Sequence, residues 1–166
     1  EPSDAQELFE AVHRNRERLR AWMPWVDGTQ SPQDTLSFIQ ETIRGQAVGN
    51  YQFAIIHDAC IVGVIGYVRT DVANRSTMIG YWNDVQVQGQ GLITLATQSI
   101  LKIGFEEMHL NRIVIRAQPN NAKSCAVPER LGFTAEGVEK QAELLNGEFV
   151  DLKVYVLLRS DWLKQS

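Results

Sequence analysis

A strand, a glycine-containing loop and a helix follow one another between residues 79 and 96, and this order constrains the fold more than any other stretch. The strand begins Ile-Gly-Tyr-Trp, the loop has the form Gln86-x-x-Gly89-x-Gly91, and the apolar residues from Leu92 onward recur at helical spacing. A helix start presents unpaired backbone N–H groups and the positive end of the helix dipole, and glycine lets an anion approach the backbone closely. The stretch therefore predicts a phosphate-binding loop.

Other kinds of loop also place glycines before a helix. A plain tight turn fits the two glycines, so the pair alone does not decide. The loop lacks the Lys and Ser/Thr of a nucleoside-triphosphate loop, and its glycine spacing is not that of the dinucleotide-binding fingerprint. Both of those phosphate loops are disfavoured, and the choice between a turn and an anion site depends on the rest of the chain.

Periodicity and turn residues predict blocks of helix and strand along the whole chain. Helices are expected over residues 1–20, 31–46, 92–108 and 122–131. Strands are expected over residues 51–57, 61–70, 76–85, 113–117, 133–145 and 148–157. Ser3 with Gln6 has the form of a capping box, and Asn146-Gly147 is a strong type I′ hairpin signal.

The strands on either side of the loop's helix form a strand-helix-strand unit. Such a unit makes its two strands parallel neighbours with a right-handed crossover, whereas the hairpins before it are antiparallel. The predicted fold class is therefore α/β (mixed α+β), with a twisted and mostly antiparallel sheet that contains one central parallel strand pair.

A second block, Asn121-Ala122-Lys123-Ser124 followed by residues 127–133, opens and closes a short helix. Taken alone, Asn121 is most simply a helix N-cap and Ser124 a first-turn residue. The order of phosphate loop, parallel strand, Asn-x-x-Ser and Arg-Leu-Gly-Phe resembles the GNAT family of N-acetyltransferases over about half of the chain. The resemblance implies helices on both faces of the sheet and a parallel pair that splays to admit the pantetheine arm of acetyl-CoA.

Three further segments narrow the resemblance to the RimL-like branch, whose members acetylate the N-terminal serine or alanine of ribosomal proteins. These segments are Trp22-Met23-Pro24-Trp25, Ile79-Gly80-Tyr81-Trp82 and the stretch 139–147, which contains Lys-Gln-Ala-Glu. In that branch the Ser of Asn-x-x-Ser and the Glu of Lys-Gln-Ala-Glu are the proposed acid and base. Ser124 and Glu143 match those positions, and neither motif departs from the pattern.

The resemblance also implies the residues that bind each substrate. Acetyl-CoA, released as CoA and used without a metal, is expected to contact Trp82, Asn83, Asp84, Gln86, Val87, Gln88, Gly89, Gln90, Gly91, Leu92, Asn121 and Ser124. The acceptor pocket is expected to include Trp22, Trp25 and Glu143. From the residues alone, the tryptophans also fit a loop packed on the sheet, and Glu143 also fits a solvated strand position.

Amine acetylation requires particular chemistry from these residues. A free α-amine has a pKa of about 7.7 to 8.0, so it is partly protonated at neutral pH and needs a base. A carboxylate is an effective base when burial partly desolvates it or when it acts through a bridging water. Glu143 is therefore expected to be partly buried or to hold a water. Ser124 can protonate the leaving CoA thiolate, and a backbone N–H between Trp82 and Asp84 can bind the thioester oxygen. Direct transfer is preferred, because Cys125 has no evident His partner.

Composition excludes several other classes. The chain has 166 residues, 44% of them hydrophobic, which suits one domain over residues 1–166. A formal net charge of −4 gives no overall attraction to nucleic acid or anionic membranes. No apolar run is long enough for a transmembrane helix, and no basic, apolar, small-residue sequence marks a signal peptide at the start. A cytoplasmic protein is expected, and its two cysteines form neither a disulfide framework nor a zinc motif.

The acceptor, the oligomeric state and the start of the chain are left open at this point. A small-molecule amine, such as a polyamine, amino sugar or amino acid, is the alternative acceptor within the same fold. A CoA-binding module without turnover is the alternative from another class. The sequence does not decide between a monomer and a homodimer. Relatives have a short strand before the first helix, so that strand is expected to be missing or trimmed here.

Overall fold

The computed structural model describes residues 1–165, and one mixed sheet organises them. The helices are α1 (Ala5–Arg14), α2 (Arg16–Arg20), α3 (Pro32–Gly45), α4 (Leu92–Lys102), α5 (Ala122–Arg130) and α6 (Arg159–Gln165). The strands are β1 (Gln52–His57), β2 (Cys60–Asp71), β3 (Ser76–Asn83), β4 (Arg112–Ala117), β5 (Thr134–Leu145) and β6 (Glu148–Leu158). Their order in the sheet is β1-β2-β3-β4-β6-β5.

The predicted strand directions are confirmed. β3 and β4 pair in parallel, whereas every other neighbouring pair is antiparallel. The hairpin turn between β5 and β6 has φ values of 50° at Asn146 and 85° at Gly147, as a type I′ turn requires. The fold class is therefore the mixed α/β arrangement that the sequence predicts.

Helices cover both faces of the sheet. On one face, α4 and α5 pack over a core that includes Tyr67, Ile79 and Ile113. On the other face, α1 and α3 cover β2 through a smaller cluster that includes Leu8, Ile39 and Val64. These two faces are called the α4 face and the α1 face below.

The N-terminal helix differs from the prediction of one continuous helix to about residue 20. It is divided at Asn15, whose φ and ψ are −105° and 5°. The buried Asn15 side chain donates to the Ala11 carbonyl at 2.8 Å and accepts from the Val85 N–H at 2.9 Å. Asn15 thus ends α1 and binds the segment that follows β3, so the chain forms two short helices rather than one long helix. The capping box predicted at Ser3 and Gln6 is also wrong, because Asp4 is the N-cap of α1.

Two elements near the other end of the chain also differ from the prediction. α4 ends at Lys102 and continues as a π-helical turn over Ile103–Glu107. The Tyr67 hydroxyl donates to the carbonyl of Ile100, in the last turn of α4. α6, which the periodicity analysis did not predict, stacks Trp162 on Phe105 with ring centroids 5.8 Å apart. No helix within residues 1–165 combines the length and apolarity needed to cross a membrane.

The parallel strand pair separates part-way along its length. β3 and β4 pair from Ser76 opposite Arg112 to Ile79 opposite Ile115. Beyond that point β3 still pairs with β2 as far as Asn83, and β4 still pairs with β6 as far as Ala117. The two central strands therefore diverge while each remains fixed on its outer side. The splay expected from the GNAT resemblance is confirmed.

Candidate active site

A cavity of about 650 Å³ lies at the point where β3 and β4 diverge. Tyr81, Ala117 and Ser124 line it from the α4 side, and Gly80 and Trp82 line it from the α1 side. The cavity therefore runs through the sheet. The sequence-predicted residues that it brings together are Trp22, Trp25, Trp82, Asn121, Ser124 and Glu143.

Ser124 is held in place by contacts to its backbone. The Asn121 side chain caps α5 by accepting from the Ser124 N–H at 3.2 Å, as predicted for an N-cap. The Tyr81 hydroxyl donates to the Ser124 carbonyl at 2.9 Å. Burial raises the pKa of Tyr81 to about 12. Tyr81 is thus a neutral donor that fixes the first turn of α5 against β3.

Glu143 reaches the cavity because β5 is bulged before it. The pairing register between β5 and β6 shifts between Glu139 and Glu143, and Gln141 has a φ of 49°. Asp151 on β6 holds this bulge, accepting from the Gln141 N–H at 2.9 Å and from Lys140 Nζ at 2.8 Å. The hydrogen bond from Lys140 and that from Gln141 hold the pKa of Asp151 below its usual value. The Lys-Gln part of the motif therefore has a positioning role that the sequence analysis missed.

The Glu143 carboxylate faces the cavity without an internal partner. Glu143 is half-buried, whereas Gln141 and Ala142 before it are exposed. Within the described part of the chain, no group donates a hydrogen bond to the Glu143 carboxylate. A half-buried carboxylate without a protein donor is free to accept a proton from an amine or to hold a water.

Aromatic side chains form the α1-face wall of the cavity. The rings of Trp25 and Trp82 lie with centroids 6.3 Å apart and planes 47° apart. The loop that carries Trp22 and Trp25 is tied down by Arg20, which binds both carboxylate oxygens of Asp27 at 2.8 and 2.9 Å. The loop is therefore packed against β3 and is also part of the cavity wall, and the binding of an acceptor there stays a prediction.

The glycine loop has the backbone geometry of an anion site. Gly89 and Gly91 have φ values of 79° and 78°, and Gly91 is the N-cap of α4. The N–H groups of residues 89–94 have no acceptor among residues 1–165, whereas the Leu95 N–H donates to the Gly91 carbonyl at 3.0 Å. Six unpaired donors thus lie at the start of an 11-residue helix.

The other residues predicted to bind acetyl-CoA in this loop differ in how far their side chains are buried. The side chains of Gln86 and Gln90 are exposed, and Gln88 is half-buried. Val87 is buried in the main core, where it anchors the loop, and its N–H donates to the Asp84 carbonyl at 3.3 Å. Leu92 is partly buried and packs against the same core.

Two basic side chains that the sequence analysis missed lie beside this loop. Lys123 Nζ donates to Gln88 Oε1 at 2.8 Å, and Arg130 donates to Thr94 Oγ1 at 2.8 Å. Both residues belong to α5 and are seven positions apart, so they share one face of that helix. The signal that could have found them is this i, i+7 spacing, from Lys123 inside Asn-x-x-Ser to Arg130 near the end of the same helix.

Asp84 is not among the residues that line the cavity, and it stabilises the start of the glycine loop instead. Its side chain is 1% exposed and forms an ion pair with Arg14. Asp84 Oδ1 also accepts from the Gln86 N–H at 3.0 Å. Burial alone would raise the pKa of Asp84, but the hydrogen bonds from Gln86 and Arg14 together lower it. Asn83, next to it, accepts from Arg18 through its backbone carbonyl.

Residues 1–165 contain no group of three His, Cys, Asp or Glu side chains that could share a metal ion.

A family model described as the acetyltransferase (GNAT) domain matches residues 1–134. The chain belongs to the GNAT acetyltransferase family. The protein is therefore an N-acetyltransferase that depends on acetyl-CoA, as the loop and the Asn-x-x-Ser helix predicted.

Individual GNAT relatives agree with the RimL-like resemblance. The chain is 35% identical over 164 residues to YdaF of Bacillus subtilis (strain 168), which covers 98% of this chain and 90% of YdaF. It is 34% identical over 152 residues to the ribosomal-protein-serine acetyltransferase of Escherichia coli (strain K12), with 89% of this chain and 83% of the relative covered. A solved structure of RimL, a ribosomal L7/L12 alpha-N-protein acetyltransferase in complex with coenzyme A, matches with a TM-score of 0.93 and 28% identity over 97% of this chain and 92% of RimL.

Proposed function

We propose that this enzyme transfers the acetyl group of acetyl-CoA directly to the N-terminal α-amine of a protein, a ribosomal protein beginning with serine or alanine. The observation that carries the proposal is the cavity at the gap between β3 and β4, which is lined by both Ser124 and Glu143. The names of the ribosomal-protein-serine acetyltransferase and of RimL support the choice of acceptor.

Acetyl-CoA enters from the α4 face in this proposal. Its pyrophosphate binds the unpaired N–H groups of residues 89–94, and Lys123 and Arg130 add positive charge beside them. The pantetheine arm passes between β3 and β4, past Gly80, where a Cβ atom would meet nothing within 4 Å. The thioester is then delivered to the centre of the cavity.

The acceptor approaches from the α1 face, where its α-amine meets Glu143. Glu143 takes the amine proton, directly or through a water, and the neutral nitrogen attacks the thioester carbon. The Asp84 N–H donates to the Val62 carbonyl at 2.6 Å, and Trp82, two residues earlier and opposite Val64, also directs its N–H at β2. Asn83 therefore remains as the backbone donor for the developing oxyanion. As the C–S bond breaks, the Ser124 hydroxyl protonates the CoA thiolate.

No covalent acetyl-enzyme is part of this mechanism. The Cys125 thiol is buried and lies 3.5 Å from the Gln118 carbonyl, which it approaches as a donor. A buried thiol in this setting is poorly placed to attack a thioester. Direct transfer in a ternary complex is therefore preferred.

The charge of the cavity favours an N-terminal amine over a polyamine. Its carboxylates are Asp34 and Glu143, and it also contains Arg116. Asp34 is already engaged in the capping box of α3, where it accepts from the Ser31 N–H at 2.8 Å. One free carboxylate suits one amine, whereas a polyamine requires several.

Mass spectrometry of purified ribosomal proteins incubated with the enzyme and acetyl-CoA tests the acceptor. Acetylation of an N-terminal serine or alanine is expected. If no ribosomal protein is acetylated at its N-terminus but a polyamine or amino sugar is acetylated, the acceptor is a small-molecule amine. CoA binding with no acetylated amine of any kind would contradict catalysis itself.

A further inference from the structure

Gln118, the residue after β4, carries a buried amide nitrogen without a partner among residues 1–165. The residue is 7% exposed and lines the cavity. Its side-chain Nε2 is inaccessible to solvent and has no hydrogen-bond partner among residues 1–165. A buried donor without an acceptor costs free energy, so a protein retains one only where something else compensates for it.

The backbone of Gln118 is fixed independently of that side chain. Its carbonyl accepts from the Asn121 N–H at 2.9 Å and from the Cys125 thiol at 3.5 Å. These bonds hold the end of β4 against the start of α5. The side chain of Gln118 is therefore attached to a fixed point of the cavity wall.

Strand alternation places Arg116 on the acceptor side of the gap. Along β4, Ile113, Ile115 and Ala117 belong to the core on the α4 face. Arg116 alternates with them, so it points toward the α1 face, and Gln118 follows directly after the end of the strand. Both residues line the cavity together with Glu143.

Arg116 adds a second donor next to the first. Its Nε is buried and unpaired within the described residues, while another of its nitrogens binds Glu139 at 2.6 Å. Two unpaired donors from residues close together in the chain thus lie on one wall of the cavity, where they fit the carbonyl groups of an acceptor chain.

We propose that the Gln118 carboxamide binds the first peptide group of the acceptor when its α-amine lies at Glu143, with Arg116 beside it. The proposal deepens the proposed function and rests on it. A carboxamide has both a donor and an acceptor, so its N–H can bind the first backbone carbonyl and its oxygen can accept from the next N–H. An alkylamine has neither group, so Gln118 would distinguish a polypeptide N-terminus from a small amine.

The test substitutes Gln118→Met, which keeps the length of the side chain and removes its polar atoms. Two acceptors are compared, an alanine-initiated peptide and isopropylamine, and each kcat/KM is divided by the wild-type value so that differences in amine pKa cancel. We expect kcat/KM for the peptide to fall by about 10-fold or more, because the peptide group then lacks its partner. We expect the ratio for isopropylamine and the KM for acetyl-CoA to stay within about two-fold, since neither uses the amide.

Thermal unfolding separates binding from a structural role. Removing a buried donor that has no partner should leave Tm unchanged or raise it by about 2 to 4 °C. Gln40→Met, at an exposed position on α3, is the matched control and should change neither Tm nor either activity.

Several results would overturn the assignment. Equal losses for both acceptors, or a higher KM for acetyl-CoA, would show that the amide serves the donor substrate. A fall in Tm of several degrees would make Gln118 a structural residue. Unchanged peptide activity in Gln118→Met, with an active wild type, would reject this assignment alone. A wild-type enzyme that acetylates no peptide would reject the proposed function and this assignment with it.

Discussion

The Tyr81 hydroxyl donates a 2.9 Å hydrogen bond to the backbone carbonyl of Ser124, and this contact joins β3 to α5 across the gap in the sheet. β3 and β4 no longer pair at this level, so the bond is a direct link between the strand along which the thioester is proposed to lie and the serine proposed to protonate its leaving group. Ser124 is thus held in place although β3 and β4 are separated at this level.

Tyr81→Phe should lower kcat several-fold and leave the KM for acetyl-CoA nearly unchanged. The substitution removes the donor and leaves the Ser124 carbonyl unpaired, a loss of about 1 kcal/mol or more that falls on the position of Ser124. Steady-state kinetics with varied acetyl-CoA would measure both constants. An equal rise in KM with no fall in kcat would instead assign Tyr81 to cofactor binding.

The same tyrosine should make the protein sensitive to alkaline pH. Burial raises its folded-state pKa to about 12, so its contribution to stability is complete below the unfolded pKa of about 10 and is lost as the pH rises through about 12. A shift of this size corresponds to roughly 2 to 3 kcal/mol. Denaturant unfolding of wild type and Tyr81→Phe between these pH values would measure it, and parallel pH profiles of the two proteins would contradict it.

Glu143→Gln should reduce kcat by about 100-fold or more at neutral pH, because the amide cannot accept the amine proton. Acetyl-CoA affinity should change little, since the loop at residues 89–94 is on the other face of the sheet. The residual rate should rise with pH as more of the α-amine becomes neutral. An unchanged pH–rate profile in the variant would remove Glu143 as the base. Glu148→Gln, at an exposed position on β6, is the control.

Gly91→Ala should weaken acetyl-CoA binding and cost about 1 kcal/mol of stability. A Cβ atom at this position would meet nothing within 4 Å, so the cost comes from the φ of 78° rather than from a clash. Gly45→Ala is the control, because Gly45 has a φ of −65° near the end of α3 and tolerates alanine. Calorimetric titration with CoA and thermal unfolding would measure the two effects; equal behaviour of the two variants would contradict the backbone argument.

Arg130→Ala and Lys123→Ala should each raise the KM for acetyl-CoA several-fold, with kcat retained. Their charges lie beside the unpaired N–H groups of the loop, so the effect should shrink as added salt screens it. Arg44→Ala, on α3, provides a charge-matched control. A KM that does not depend on salt in wild type and variants alike would exclude these side chains from phosphate binding.

Asp84→Asn should destabilise the protein by about 1 to 3 kcal/mol, because it leaves Arg14 without its buried partner while Arg14 itself keeps some solvent contact. The folded-state pKa of Asp84 is lowered, so its stabilising contribution is present above the unfolded value of about 3.9 and is lost as the pH falls below that value. Acid unfolding monitored by circular dichroism should be less steep in the variant. Identical acid transitions in both proteins would contradict this role.

Local sequence patterns predicted most of the fold, for reasons that particular residues illustrate. Asn146-Gly147 requires a turn with positive φ, Ser31-Pro32 starts α3, and Gly132 closes α5 with a φ of 76°. The missed features depend on distant partners. Asn15 interrupts the first helix because it binds the Val85 N–H, and α6 is held by the contact of Trp162 with Phe105.

The candidate site divides in the same way between sequence and tertiary structure. The sequence by itself determined the glycine loop at the start of α4, the Asn121 cap and the family, because short-range spacing sets helix starts and turns. Only the tertiary structure decided that the bulge held by Asp151 turns Glu143 into the cavity, that α5 brings Lys123 and Arg130 to the loop, and that the amide nitrogen of Gln118 is buried without a partner among residues 1–165. These relations join residues on different elements, and their distances depend on how β3 and β4 diverge rather than on spacing along the chain.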